Sequence, residues 1–326
     1  MKKTVIGQQK IKKLFLGFLR NDTLGHCYAL IGEKGMGKST MTEYLSKMIV
    51  CEHGTACGTC KACIMAEAGT HPDIEYVVPE EDKKSIGVDV MRRMIEGIYI
   101  RPYTARKKVI IINNFEQANV QAQNAVLKAL EEPPEYVVFL LTVSAEKDML
   151  DTVKSRSVML RMEPYSKEEI KLFLQEHTSV SENEREFIAS YASGNTGKGK
   201  LLAENEGFSE LRTSVFEALL VLAERGSVIP FSNFGKKEHQ KNMGDILECT
   251  LSFFRDMLMY KIGQAELAVN RDYAVRIKEA AEKIKTQSIL RVMQDIMEAD
   301  ANLKRNINFN LAVMDMVLGS LEEING

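Results

Sequence analysis

Residues Gly32-Glu33-Lys34-Gly35-Met36-Gly37-Lys38-Ser39 fit the spacing G-x-x-x-x-G-K-[ST], and the apolar run from His26 to Ile31 leads directly into them. A glycine-rich turn of this kind converges backbone N–H groups on phosphate oxygens, and the helix that follows adds its positive end. Lys38 is placed to reach the terminal phosphates, and the Ser39 hydroxyl to ligate Mg²⁺. Gly32, Gly35, Gly37, Lys38, Ser39 and Thr40 are therefore candidate ligands for ATP or ADP with Mg²⁺. Hydrolysis asks for more: a carboxylate that holds the metal and a group that positions water. The acidic pair that should supply them is due at the end of the run Val109 to Ile112. Neutral Asn113-Asn114 stand there instead. Glu116 is close in sequence but lies beyond the strand end, and the sequence gives no reason for it to take over. The expectation is binding without turnover.

A second constellation is Cys51, Cys57, Cys60 and Cys63, spaced C-x5-C-x2-C-x2-C. Four thiolates suit tetrahedral zinc, and two-residue gaps let one tight turn supply neighbouring ligands. Four sulfurs leave no open coordination position, so the expected role is structural. His53 is a possible substitute ligand, and an iron–sulfur cluster fits the ligand type. The remaining cysteines, Cys27 and Cys249, stand alone.

These residues need a scaffold. Val109 to Ile112 and Val137 to Leu141 are unbroken apolar runs, the pattern of strands buried on both faces of a parallel sheet. Ile74 to Val78 alternates as a strand. Helical spacing covers Leu14 to Leu19, Ser39 to Met48, Val88 to Tyr99 and Ala122 to Leu130, the last stopping at Pro133-Pro134. The expected result is a wound α/β domain ending near Met162. Ser166 with Glu169 then forms a capping box for a new helical segment. Short helices run to about Ala203, interrupted at Ser193 to Gly197. Beyond Phe208 every signal is helical: Leu247 to Ile262, Tyr273 to Ile284, Ile289 to Leu303 and the nearly solid apolar stretch Leu311 to Leu321.

Composition narrows the class. The chain has 326 residues, 45% hydrophobic and 27% charged, with a formal net charge of −2. The charge excludes a wholly basic nucleic-acid binder, and the length suggests two or three domains. No apolar run is long enough to span a bilayer. Met1-Lys2-Lys3 leads into polar residues and not into the apolar core of a secretory leader, so the expected compartment is the cytoplasm. Clustered cysteines in a reducing compartment favour a metal over disulfides.

Other segments fall in a recognisable order. Ile6-Gly7-Gln8-Gln9 precedes the strand His26 to Leu30, and His71-Pro72-Asp73-Ile74 follows the cysteines. The most specific stretch is Gln123-Asn124-Ala125-Val126-Leu127-Lys128-Ala129-Leu130-Glu131-Glu132-Pro133-Pro134. Ser155-Arg156-Ser157, Gly194-Asn195-Thr196-Gly197-Lys198 and Asn306-Ile307-Asn308 come after it. Together they resemble the delta-prime subunits of bacterial DNA polymerase III clamp loaders, in the AAA+ superfamily. The resemblance implies an AAA+ domain over 1–163, a helical lid over 164–206 and a helical collar over 207–326. It implies a largely non-hydrolysing stator in a pentamer with gamma/tau and delta subunits that loads a sliding clamp onto primer-template DNA. Arg156, expected after the fifth-strand region, would act in trans on a neighbour's ATP, and Lys198 would be a phosphate sensor. Ser stands for Cys at 157 and Lys for Arg at 198. Gamma/tau motors keep the acidic pair that Asn113-Asn114 replaces. The alternatives are an ATP-hydrolysing gamma/tau-type motor and a zinc-containing DNA-binding module.

Overall fold

The unbroken apolar runs become the inner strands of a parallel sheet. Every residue of β1 (Cys27–Ile31), β3 (Lys108–Ile112) and β4 (Val137–Val143) is buried. β2 (Ile74–Val77) and β5 (Val158–Arg161) form the edges and are only partly buried. The order is β2-β3-β4-β1-β5, with all neighbours parallel. This is a computed structural model, and it describes residues 5–80, 83, 85–205, 207–225, 234 and 242–304. The stretches Leu311 to Leu321 and Asn306 to Asn308 lie outside the described residues.

Helices α1 (Gln9–Arg20), α2 (Lys38–Val50), α3 (Lys61–Glu67), α4 (Val88–Ile98) and α5 (Val120–Glu131) accompany the sheet. Met91, Met94 and Ile98 of α4 join Val126, Ala129 and Leu130 of α5 over Ile110, Ile112, Phe139 and Leu141. The Asn119 side chain caps α5 by accepting from the Ala122 N–H at 2.9 Å. A short α6 (Asp151–Lys154) precedes β5, and Arg156 sits in the turn between them. The expectation that Arg156 follows the fifth strand is therefore corrected: it precedes it. β5 has one buried residue in four, so no apolar run marks it in the sequence.

α7 (Lys167–His177) carries the expected Ser166–Glu169 capping box. α8 (Glu182–Tyr191) follows, and then α9 (Thr196–Glu204). The loop expected through Gly197 stops two residues earlier. The Asn195 side chain accepts from the Lys198 N–H at 3.0 Å and so starts α9 at Thr196.

The chain divides into two compact units between Leu201 and Leu202. The second holds α10 (Phe208–Arg225), α11 (Met243–Lys261), α12 (Ala274–Lys283) and α13 (Thr286–Lys304). A polar network with Arg212, Asp256 and Asn270 buried at its centre ties it together. Asp256 of α11 accepts from the N–H groups of Val269 and Asn270 and from Asn270 Nδ2. Arg212 of α10 donates to Asn270 Oδ1 at 3.0 Å and to both Asp272 oxygens at 2.7 Å. Among the described residues no helix is long and apolar enough to cross a membrane.

Asp73 shows how one side chain fixes a loop of the first unit. It is buried, and its carboxylate accepts from the N–H groups of Tyr103, Thr104 and Ala105 and from the Thr104 hydroxyl, at 2.5–2.9 Å. Burial alone would raise its pKa. The backbone donors outweigh burial and hold it below the usual value. A depressed folded pKa gives stability that is complete above the unfolded value of about 3.9 and is lost as pH falls through the folded one. Asp73→Asn should therefore cost about 2–3 kcal/mol at neutral pH and flatten the acid limb of the stability curve. Thermal melting across pH checks this. Equal melting of variant and parent at pH 7 would show that the carboxylate is dispensable.

Candidate functional site

The phosphate loop follows β1 and opens into a cavity of about 460 Å³. One wall is the loop itself, with Lys34, Gly35, Gly37, Lys38, Ser39 and Thr40. Val5, Ile6, Phe173 and His177 form an apolar and aromatic wall, and Asn114, Tyr165, Thr196, Gly197 and Lys200 complete the lining. The Phe173 and His177 rings stack at 4.4 Å. Gly37, at φ 78°, precedes α2 in the left-handed region, so the first N–H groups of a 13-residue helix follow the loop directly.

Lys38 is buried, and its ammonium donates to the carbonyls of Gly32 (2.6 Å) and Glu33 (3.1 Å). Burial lowers its pKa, with the charges of Glu116 and then Glu33 opposing. Asn113 takes the place due to a metal-holding acid. Its Oδ1 is 3.5 Å from the hydroxyls of both Thr42 on α2 and Thr142 on β4. The Asn114 N–H donates to Thr142 Oγ1 at 2.8 Å, and its side chain lines the cavity.

The segment Asn195 to Gly197, at the start of α9, packs directly on the loop backbone. Gly197 N donates to Gly35 O at 2.8 Å, Thr196 Oγ1 to the same oxygen at 3.2 Å, and Asn195 Nδ2 to Lys34 O at 2.9 Å. Tyr165 OH donates to Met36 O at 3.2 Å. The approach leaves no room for side chains. A Cβ on Gly197 would meet Gly35 Cα at 2.6 Å, and a Cβ on Gly35, itself at φ +92°, would meet Asn195 Oδ1 at 2.5 Å. Lys198 turns away from this contact, with its ammonium 4.8 Å above the Tyr191 ring. Lys200 is the α9 lysine that lines the cavity.

Sequence reasoning sets Glu116 aside because it lies beyond the strand end. Its Oε1 accepts from Ser144 Oγ at 2.5 Å, while its buried Oε2 has no hydrogen-bond partner among the described residues. A carboxylate just past an acidic-pair position was the available signal, but its partner at the end of β4 was not visible.

Arg156 is on the surface of the first unit. It donates to Thr152 O at 2.8 Å and pairs with Glu131 at 2.5 Å. Thus the stretch Leu130-Glu131-Glu132 and the Ser-Arg-Ser turn, far apart in sequence, come together.

The four cysteines converge. Cys51–Cys57, Cys57–Cys63 and Cys51–Cys60 sulfurs lie 3.7, 3.9 and 3.9 Å apart, and all four fall within 4.8 Å of one another. A tetrahedron with Zn–S near 2.3 Å has edges of about 3.8 Å, whereas a disulfide would bring two sulfurs to about 2 Å. The group can hold a metal ion. Backbone N–H groups of His53, Cys60 and Cys63 donate to Cys51, Cys57 and Cys60 sulfurs. Hydrogen bonds from Thr59 and then Cys60 pull the Cys57 thiol down to about 5, while burial pushes Cys63 up. The His53 ring is outside the group, and Cys27 and Cys249 are buried singly.

Residues 7–166 match the family described as DNA polymerase III, delta subunit, and residues 206–320 its C-terminal counterpart. The chain is 30% identical over 322 residues to DNA polymerase III subunit delta' of Bacillus subtilis (strain 168), covering 95% of each. It is 27% identical over 325 residues to subunit tau of the same organism, covering 92% of this chain and 58% of that one. A crystal structure of a DNA polymerase III gamma subunit-related protein from Thermotoga maritima aligns over 97% of this chain and 99% of that chain, at 21% identity and a TM-score of 0.44. With its parallel P-loop sheet, its helical second unit and a full-length match to a delta' subunit, the chain belongs to the delta-prime family of AAA+ clamp-loader subunits of DNA polymerase III.

Proposed function

We propose that this chain is a largely non-hydrolysing stator in a cytoplasmic clamp loader. Its partners are gamma/tau- and delta-type subunits, and through them the sliding clamp and primer-template DNA. The observation that carries this reading is the uncharged Asn113 between Thr42 and Thr142, where a metal-holding acid is due. The loop residues Gly32, Gly35, Gly37, Lys38, Ser39 and Thr40 would cradle ATP or ADP with Mg²⁺. Lys198 would sense phosphate only after leaving Tyr191. Cys51, Cys57, Cys60 and Cys63 would hold one structural zinc. Arg156 would leave Glu131 and reach the ATP of an adjacent subunit. The division into an AAA+ domain over 1–163, a lid over 164–206 and a collar over 207–326 belongs to the same reading.

Two measurements test it. Mixed with gamma/tau and delta subunits, the chain should form a defined complex with clamp-stimulated ATPase activity. Alone, it should hydrolyse ATP at background rate. Steady turnover by the isolated chain that disappears in Lys38→Ala would replace the stator with the gamma/tau-type motor. Tight, salt-sensitive DNA binding by the chain alone would instead favour the zinc-containing DNA-binding module.

A further inference from the structure

α9 carries two lysines, and its packing fixes which of them meets the cavity of the phosphate loop. Three contacts set the rotation of the helix. Thr196 Oγ1 donates to Gly35 O at 3.2 Å, so the face that starts with Thr196 lies on the loop. The Lys198 ammonium sits 4.8 Å above the Tyr191 ring of α8. Gly199 faces α7 and the end of α8, where an added Cβ would touch Ile170, Ala192 and Leu174 at 3.4–3.8 Å. Residues four apart on a helix share a face, so Lys200 follows Thr196 on the loop side, about 6 Å further along the axis. Thr196 and Lys200 both line the cavity, and Lys198 is not among the lining residues.

The charge of that lining is one-sided. Lys34, Lys38 and Lys200 belong to it, and among the described residues no carboxylate does. Asn113 and Asn114 bring no charge to the end of β3. A polyphosphate entering the cavity therefore meets ammonium groups and the first N–H groups of α2, and no lining acid repels it. Lys38 already gives its ammonium to the carbonyls of Gly32 and Glu33, which holds it at the loop. Lys200, on a four-carbon stem one turn from the loop contact, is a second cation for the far end of the phosphate chain. A cation at the terminal phosphate favours a triphosphate over a diphosphate, because the triphosphate carries more negative charge.

We propose that Lys200 is the second phosphate-binding cation of this site and makes it prefer a nucleoside triphosphate to the diphosphate. The inference rests on the nucleotide-binding part of the reading above and moves the phosphate contact on α9 from Lys198 to Lys200. Lys198 stays over Tyr191 and holds α9 against α8. The contact needs no rotation of the helix, because Lys200 extends from the face that already touches the loop.

The test is calorimetric titration of the full chain with ATP and with ADP, Mg²⁺ present throughout. The parent should bind ATP more tightly than ADP. Lys200→Met keeps the stem and removes the charge. It should weaken ATP by about tenfold and ADP by no more than about twofold, so that the preference disappears. Lys200 is exposed, so its replacement leaves the fold intact, and Lys200→Gln should repeat the result. Lys200→Arg, which keeps the charge, should restore most of the preference. Lys198→Met should leave both affinities within about twofold of the parent. Added salt should weaken ATP binding more in the parent than in Lys200→Met. Unchanged ATP binding in Lys200→Met and Lys200→Gln overturns the proposal, and a loss confined to Lys198→Met returns the contact to Lys198. Equal affinity of the parent for ATP and ADP also overturns it and leaves nucleotide binding intact. No binding of either nucleotide by the parent overturns the nucleotide reading and this proposal together.

Discussion

A clamp-loader complex assembled with Arg156→Ala in this chain is expected to lose ATP turnover at the adjacent site by about 10³–10⁵-fold, the usual worth of an arginine supplied in trans. Folding, metal content and assembly should be unaffected. Whole-complex ATPase and clamp-loading rates would fall, while Lys38→Ala in the same chain would have the smaller effect. The structure adds a control that separates this role from a local one. Arg156 is paired with Glu131 on a solvent-exposed surface, an interaction worth about 0–1 kcal/mol. If that pair were the whole role of Arg156, Glu131→Ala and Arg156→Ala would behave alike and both would be nearly silent. If Arg156 serves a neighbour, only its own removal cripples loading. Normal loading by Arg156→Ala complexes defeats the finger mechanism. Greater damage from Lys38→Ala points to a motor subunit.

Chain purified without chelator is expected to carry close to one zinc per molecule. Removing that zinc should disorder the segment around residues 50–70 while the sheet survives. The sulfur spacing of 3.7–3.9 Å matches a zinc tetrahedron and leaves no bond between cysteines. Apparent binding energies for structural zinc are about 10–16 kcal/mol near neutral pH and fall in acid as the thiolates protonate. The sheet has its own core of Ile110, Ile112, Phe139 and Leu141, independent of the cysteines. Elemental analysis, thiol titration and hydrogen exchange over residues 50–70 make the check. Four freely titrating thiols in metal-free protein would defeat the zinc assignment, and stoichiometric iron would replace it with a cluster.

Some of this architecture is plain in the sequence, and the limits have physical causes. β1, β3 and β4 are buried on both faces, so each is an apolar run. β5 is an edge strand with Leu160 its one buried residue and Met159 half-buried against the core, and its residues read as a surface loop. The sequence therefore does not show on which side of the strand Arg156 lies. The capping box at Ser166 is local chemistry and was legible. The Asp256–Asn270–Arg212 network is not, because it joins residues 58 positions apart whose types are ordinary on a surface. Lys198 and Lys200 present a finer difficulty. Two residues on a helix are about 200° apart, so only one of them can face the cavity, and the start of α9 at Thr196 decides which. Glu116 is hidden for the same kind of reason: its meaning depends on Ser144, 28 residues away.

One glycine of the phosphate loop has a second employer. Gly35 is pressed against Asn195, and Gly197 against Gly35 itself, at distances no Cβ tolerates. Replacing either one breaks the seam between the loop and the start of α9 whether or not a nucleotide is present. Gly35 stands at one of the free positions of G-x-x-x-x-G-K-S, yet the fold leaves it no freedom. A residue that the motif leaves open is thus closed by its neighbour across the seam.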